Sequence, residues 1–225
     1  MIDIRIIASG SSGNCYLIKD GDKKILIDPG IRFKLIQKAL NFDVTGLDFV
    51  LLSHEHKDHS YSISDFINRN IPVLTSTGTA NALAIPYEPL VSEKEVGFSA
   101  WKVLPFQTHH DAIEPLGFLI LTPSGSKIFY ATDTYYISYK FSGVTHFLVE
   151  CNYSKEIMEK NDLIPPNVKI RILTSHFELS NVKEFFRNQD LSATIAIYLL
   201  HLSDANSDQE RFIREIQAIT GKPVY

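Results

Sequence analysis

Seven consecutive residues, Ser53-His54-Glu55-His56-Lys57-Asp58-His59, constrain this chain most. Three histidines and an aspartate crowd together directly after Phe49-Val50-Leu51-Leu52, an apolar run of the kind found in a strand covered on both faces. Imidazole and carboxylate are ligands that divalent metals take, and a loop leaving a buried strand aims several of them at one point. A fold for this chain must bury that strand and still leave its end open. A solvated His-rich turn is the plain alternative, and it gives no purpose to the similar residues that recur downstream.

The rest of the pattern supplies layers for such a strand. Strands are expected at Ile4–Ala8, Cys15–Ile18 and Lys24–Ile27, the last two joined by the turn Asp20-Gly21-Asp22. Helices are expected at Phe33–Leu40, Ser60–Asn70 and Gly78–Ala84, with a strand at Pro72–Leu74. The middle returns to strands at Lys102–Phe106, Gly117–Leu121, Ile128–Ala131 and Phe147–Val149, with a turn at Pro123-Ser124-Gly125-Ser126. The last third reads as a helix at Asn181–Asn188, a strand at Thr194–Leu199 and a helix at Ser207–Thr220. That final helix has Phe212, Ile213, Ile216 and Ile219 on one face, and Ser207 with Glu210 fits a capping box. Sheets covered by helices follow, in an α/β layered fold.

Length and composition narrow the function. At 225 residues the chain can bury one full core, and we expect a single domain over 1–225. The net charge of −4 argues against a broad basic groove for duplex nucleic acid, yet leaves room for a phosphate substrate if cations sit in the site. No apolar run approaches a membrane span, and the alternating start Met1–Ile6 lacks the form of a signal peptide, so no membrane association and a cytoplasmic location are expected. Cys15 and Cys151 are too few for a disulfide framework and read as small core residues.

Further candidate ligands fall at the ends of the expected strands: Asp28, His109 and His110, Asp133, and His201. A strand end holds a side chain rigidly from below and exposes it above, which is how open α/β sheets build sites. Taken singly, each is also explained as a turn aspartate or a core histidine. Together with His54-x-His56-x-Asp58-His59 they carry a resemblance to the metallo-β-lactamase superfamily over nearly the whole chain. Its YycJ-like branch of small bacterial exonucleases and phosphodiesterases is resembled through Ala8-Ser9-Gly10-Ser11-Ser12-Gly13-Asn14, Leu26–Gly30, His110-Asp111-Ala112, Glu150–Tyr153, Arg171-Ile172, Ser175–Asn181 and His201–Asn206.

The resemblance implies a four-layer αββα sandwich and two divalent ions, Zn²⁺ or Mn²⁺, with Fe²⁺ also compatible. His54, His56 and His110 would bind one ion; Asp58, His59 and His201 the other; Asp133 would bridge them. His109 competes with His110, which matches the family better, and Asp28 would orient a ligand histidine through its other ring nitrogen. A hydroxide held between the ions would be the nucleophile, with Asp58 ligating and accepting its hydrogen bond. His176 would contact a substrate oxygen or protonate the leaving group, and Glu150 and Asn152 would support the site. Ser9–Asn14 forms either a plain turn or a wall of the site. Tyr135, Tyr136 and Tyr139 either pack or stack on a base.

Two functions compete on this site. One is a phosphodiesterase acting on nucleic-acid ends, single strands included; the other is a hydrolase of a small ester, thioester or lactone. A redox di-iron protein is disfavoured because such relatives place Glu where His56 stands. A zincin is excluded because Asp58 occupies the position its second histidine would need.

Overall fold

The computed structural model describes residues 2–225. Its strands are β1 (Ile2–Ala8), β2 (Cys15–Asp20), β3 (Lys23–Ile27), β4 (Phe49–Leu51), β5 (Val73–Thr75), β6 (Glu88–Pro89), β7 (Val96–Phe98), β8 (Trp101–Gln107), β9 (Leu116–Leu121), β10 (Lys127–Ala131), β11 (His146–Glu150) and β12 (Ala196–Leu200). Its helices are α1 (Phe33–Ala39), α2 (Lys57–Ser60), α3 (Ile63–Ile67), α4 (Thr77–Leu83), α5 (Lys155–Glu159), α6 (Pro166–Ser175), α7 (Leu179–Arg187) and α8 (Gln209–Thr220). The strands make two six-stranded sheets, ordered β1-β2-β3-β4-β5-β6 and β12-β11-β10-β9-β8-β7.

The chain divides into two compact units, one of Met1–Gln107, Ala112–Leu116 and Leu121–Gly125, the other of Thr108–Asp111, Gly117–Ile120 and Ser126–Tyr225. In the first, β1, β2 and β3 are antiparallel neighbours, and β3 through β6 then run parallel. Alternate residues of these strands face one cluster, where Cys15, Leu17, Leu26, Val50 and Val73 pack with Ile36 of α1 and with Ile63 and Phe66 of α3. On the opposite face Phe49 meets Phe98 and Trp101 edge-on, at 5.4 and 6.4 Å between ring centroids.

In the second unit β10, β11 and β12 are parallel neighbours. Phe185 and Phe186 of α7 pack on Phe147 of β11, and Phe185 also on Phe129 of β10. α8 buries Phe212 and Ile216. Cys15 and Cys151 are both free and buried, and burial pushes both thiols up.

Several expected boundaries move for identifiable reasons. The single helix expected at Ser60–Asn70 is two short ones, because Ser62 turns out of the helix to bond loop carbonyls: its amide to Pro29 at 2.9 Å and its hydroxyl to Ile31 at 2.5 Å. The cap of α8 is Asp208, whose carboxylate accepts from the Arg211 amide at 2.9 Å, while the Ser207 hydroxyl donates to Ser203. β12 begins after Thr194, which closes a turn on Leu191. Unexpected helices are α5 and α6; α6 has no inward apolar stripe, with Val168, Ile170 and Leu173 all exposed.

Candidate functional site

In the first unit the ends of two parallel strands carry the chemistry. Asp28 follows β3 in a left-handed conformation, φ 52°, and Ser53-His54 follow β4. Such a backbone is uncommon for a residue with a Cβ, and strain of this kind gathers where a side chain must be aimed. Asp28 is fully buried. One of its oxygens accepts from the Ser53 amide at 2.8 Å; the other accepts from the Ser53 hydroxyl at 2.8 Å and from His59 Nδ1 at 2.9 Å.

That arrangement fixes two imidazoles. A carboxylate only accepts, so His59 Nδ1 carries the proton and Nε2 the lone pair, and Asn14 Nδ2 donates to that Nε2 at 3.0 Å. The Ser53 hydroxyl spends its hydrogen on Asp28, so at 3.0 Å it accepts from His54 Nδ1. His54 Nε2 is thereby left as an electron-pair donor, 3.2 Å from His56 Nδ1. The expected contact of Asp28 with the second nitrogen of a histidine is therefore present, and Ser53 extends it to another. Nothing in the sequence marked Ser53 beyond its place next to His54.

The loop bearing these groups is clamped by backbone contacts. The Asp58 carbonyl accepts from the Asn14 amide at 2.7 Å, and the Gly30 amide donates to the Asn14 carbonyl at 2.8 Å. A Cβ on Gly30 would lie 1.7 Å from the Asp58 carbonyl oxygen, so only glycine allows this approach. The Gly-rich turn at Ser9–Asn14 is thus a connection between β1 and β2 that also carries Asn14 to His59. Asn14 itself is held by Tyr16, whose hydroxyl donates to its Oδ1 at 2.9 Å.

In the second unit the ends of the three parallel strands converge. Asp133 lies just past β10, Glu150 ends β11, and His201 follows β12; Asp133 and His201 are again left-handed, at φ 52° and 53°. Glu150 is fully buried. Its Oε1 accepts from His176 Nδ1 at 2.7 Å and from His201 Nδ1 at 3.1 Å. Its Oε2 accepts from the amides of Thr134 at 2.9 Å and Phe177 at 3.2 Å. The two imidazoles stack, with ring centroids 5.2 Å apart. Burial disfavours the charged forms of Glu150 and His176, but their mutual attraction and hydrogen bond prevail, holding the carboxyl below and the imidazole above their ordinary ranges. Asn152 Nδ2 donates to the His201 carbonyl at 2.7 Å, giving that strained residue a second anchor.

His110, rather than His109, faces this group. Its Nε2 lies 3.4 Å from Asp133 Oδ2, its Nδ1 lies 3.1 Å from the Ser175 carbonyl, and burial lowers its pKa. The ring of His109 instead lies beside Tyr135 and Tyr136, at 5.5 and 6.0 Å. Asp133, Glu150, His176 and His201 each bring one donor atom within 4.8 Å of the others. Glu150 engages both imidazoles at Nδ1, so the Asp133 carboxylate and the other ring nitrogen of His201 are the donors there that suit a divalent ion. In the first unit, unprotonated ring nitrogens backed by a carboxylate are the form in which histidine binds metal. The residues present fit such an ion.

Residues 8–125 match the profile of the metallo-beta-lactamase superfamily. The chain is 28% identical over 223 residues to the exodeoxyribonuclease YycJ of Bacillus anthracis, covering 91% of this chain and 84% of that one. It is 30% identical over 226 residues to the exodeoxyribonuclease WalJ of Streptococcus pneumoniae serotype 2, covering 91% and 83%. Among solved structures, the metallo-beta-lactamase fold protein YhfI of Bacillus subtilis superposes with a TM-score of 0.76 at 16% identity, covering 99% of this chain and 95% of that one. No helix among the described residues is long and apolar enough to cross a membrane.

Proposed function

Because this chain belongs to the metallo-β-lactamase superfamily, whose divalent-metal hydrolase chemistry it shares, we propose that it is a phosphodiesterase that removes nucleotides from nucleic-acid ends. The catalytic domain is the whole of 1–225, working in the cytoplasm. The observation that carries the metal assignment is the Asp28 carboxylate, which sets the protonation of His59 directly and of His54 through Ser53. A solvated turn has no use for such a buried relay. His54, His56, Asp58, His59, His110, Asp133 and His201 are the proposed ligands of two divalent ions, Zn²⁺ or Mn²⁺.

When bound, such ions act as Lewis acids and bring the pKa of water toward about 7. The chain's own groups do the rest. Asp58 takes a hydrogen bond from the attacking water and orients it. His176 gives its Nδ1 proton to a hydrogen bond with Glu150, whose negative charge favours protonation of Nε2 as well. The Nε2 proton then passes to the departing oxygen. Support for a nucleic-acid substrate comes from the YycJ and WalJ relatives, and the net charge of −4 favours ends and single strands over long duplex.

The test is a screen of metal-reconstituted protein against bis-p-nitrophenyl phosphate, thioesters and lactones. Phosphodiester turnover with little on the others supports the proposal. Thioester or lactone hydrolysis with phosphodiesters untouched replaces it with a small-molecule hydrolase.

A further inference from the structure

One side of the second unit holds a cavity of about 450 Å³, within the range of roughly 300–1,000 Å³ common to small-molecule sites. Tyr135 and Tyr136 form one wall, 41% and 53% exposed, and Phe177 and Phe185 the floor. Asn181 and Gln189 are among the lining residues, each type carrying both donors and an acceptor, and Gln189 Nε2 donates to the Tyr139 carbonyl at 3.2 Å. Lys140 and Glu184 also line it, so its charges oppose one another and it is no trap for an anion.

The cavity is built onto the same carboxylate that organises the strand ends. Glu150 Oε2 takes the amides of Thr134 and Phe177 at 2.9 and 3.2 Å, so one oxygen fixes both the tyrosine wall and the phenylalanine floor. The Thr134 hydroxyl donates to the Tyr136 carbonyl at 2.8 Å and holds the wall in shape. The chain thus enters the tyrosine wall two residues after Asp133 and the floor one residue after His176. At no more than about 3.6 Å per residue, that backbone spacing is within the length of a nucleotide.

Exposed aromatic faces, an apolar floor, amide groups and cancelling charge select a flat, neutral, hydrogen-bonding heterocycle. We propose that the cavity receives the base of the nucleotide next to the phosphate under attack, by stacking on Tyr135 and Tyr136. This rests on the phosphodiesterase reading and makes the stacking residues the grip on the strand. Aromatic stacking tolerates any base, so the selection is for a base being present and not for sequence.

Binding is measured by NMR on the full, Zn²⁺-loaded chain, reading the side-chain amides of Asn181 and Gln189. Deoxyadenosine monophosphate is the probe and deoxyribose 5-phosphate the base-free control. The proposal expects these amides to shift with the nucleotide and not with the control. It also expects Tyr135→Ala with Tyr136→Ala to weaken nucleotide binding roughly tenfold or more. Both tyrosines are about half exposed, at 41% and 53%, and the amide spectrum of the double variant checks that it keeps its fold. Unmoved amides, equal binding of the control, or an unaffected double variant would overturn the proposal. Base binding at these amides without any phosphodiester cleavage would leave the cavity assignment standing and sink the nuclease reading instead.

Discussion

At the scale of single residues, the account turns on how buried carboxylates set imidazoles. Asp28 holds His59 and, through Ser53, His54; Glu150 holds His176 and His201. Removing the charge while keeping the shape isolates the first of these roles. Asp28→Asn should weaken Zn²⁺ affinity about 10–100-fold, as changes to groups behind metal ligands do. Chelator competition measures it, and unchanged affinity would mean that Asp28 serves packing alone. Asp58→Ala addresses the chemistry: with a folded protein, kcat should fall by several orders of magnitude, on the order of 4–7 kcal/mol of barrier. Near-normal turnover would remove Asp58 from the mechanism. Asp28, His54 and Asp133 were legible in the sequence because each stands at or just past a strand end. Ser53 was not, since a serine hydroxyl acquires meaning only from its partners, and Asp28 is 25 residues away.

At the scale of elements, backbone contacts set where loops go. Gly30 lets the chain pass against the Asp58 carbonyl, so Gly30→Ala should cost about 3 kcal/mol, the upper end for overpacking, since backbone gives way less readily than a side chain. A urea melt at neutral pH showing no loss would mean the loop relaxes freely. Asp48 ties the turn before β4 to the β7–β8 hairpin by accepting from Trp101 Nε1 at 3.2 Å, the Ser99 hydroxyl at 2.9 Å and the Lys24 amide at 3.1 Å. Burial raises its carboxyl, but these donors outweigh it and hold the group below its ordinary value. A carboxyl lowered by folding stabilises above its unfolded pKa, about 3.9, and stops doing so as pH falls through its folded value. Asp48→Ala should therefore cost roughly 1–3 kcal/mol at pH 7, and the deficit should narrow in acid below about pH 3.9. A gap independent of pH would point to lost packing instead. Strands such as β3, β4 and β10 were readable because their apolar runs are short and bounded by turns. The break at Ser62 was not, because its cause is the loop at Pro29 and Ile31, the latter 31 residues earlier, and α6 escaped notice because Val168, Ile170 and Leu173 face outward.

At the scale of the whole molecule, the sequence spoke most clearly about family and least about substrate. The family match and an α/β fold of two sheets bear out the family and the fold, while His54, His56, Asp58, His59, His110, Asp133 and His201 stand as the proposed ligands. The substrate depends on surfaces such as the cavity beside Tyr135, whose lining comes from residues up to 54 positions apart and leaves no linear motif. The central claim is metal-dependent attack on nucleic-acid ends, and one measurement meets it directly. Single-stranded DNA labelled at one terminus is incubated with Mn²⁺- or Zn²⁺-loaded protein, with and without chelator, and the products are resolved by length. The account predicts stepwise shortening from an end, abolished by the chelator and by Asp58→Ala. Strands left intact by protein that holds its metals would contradict it.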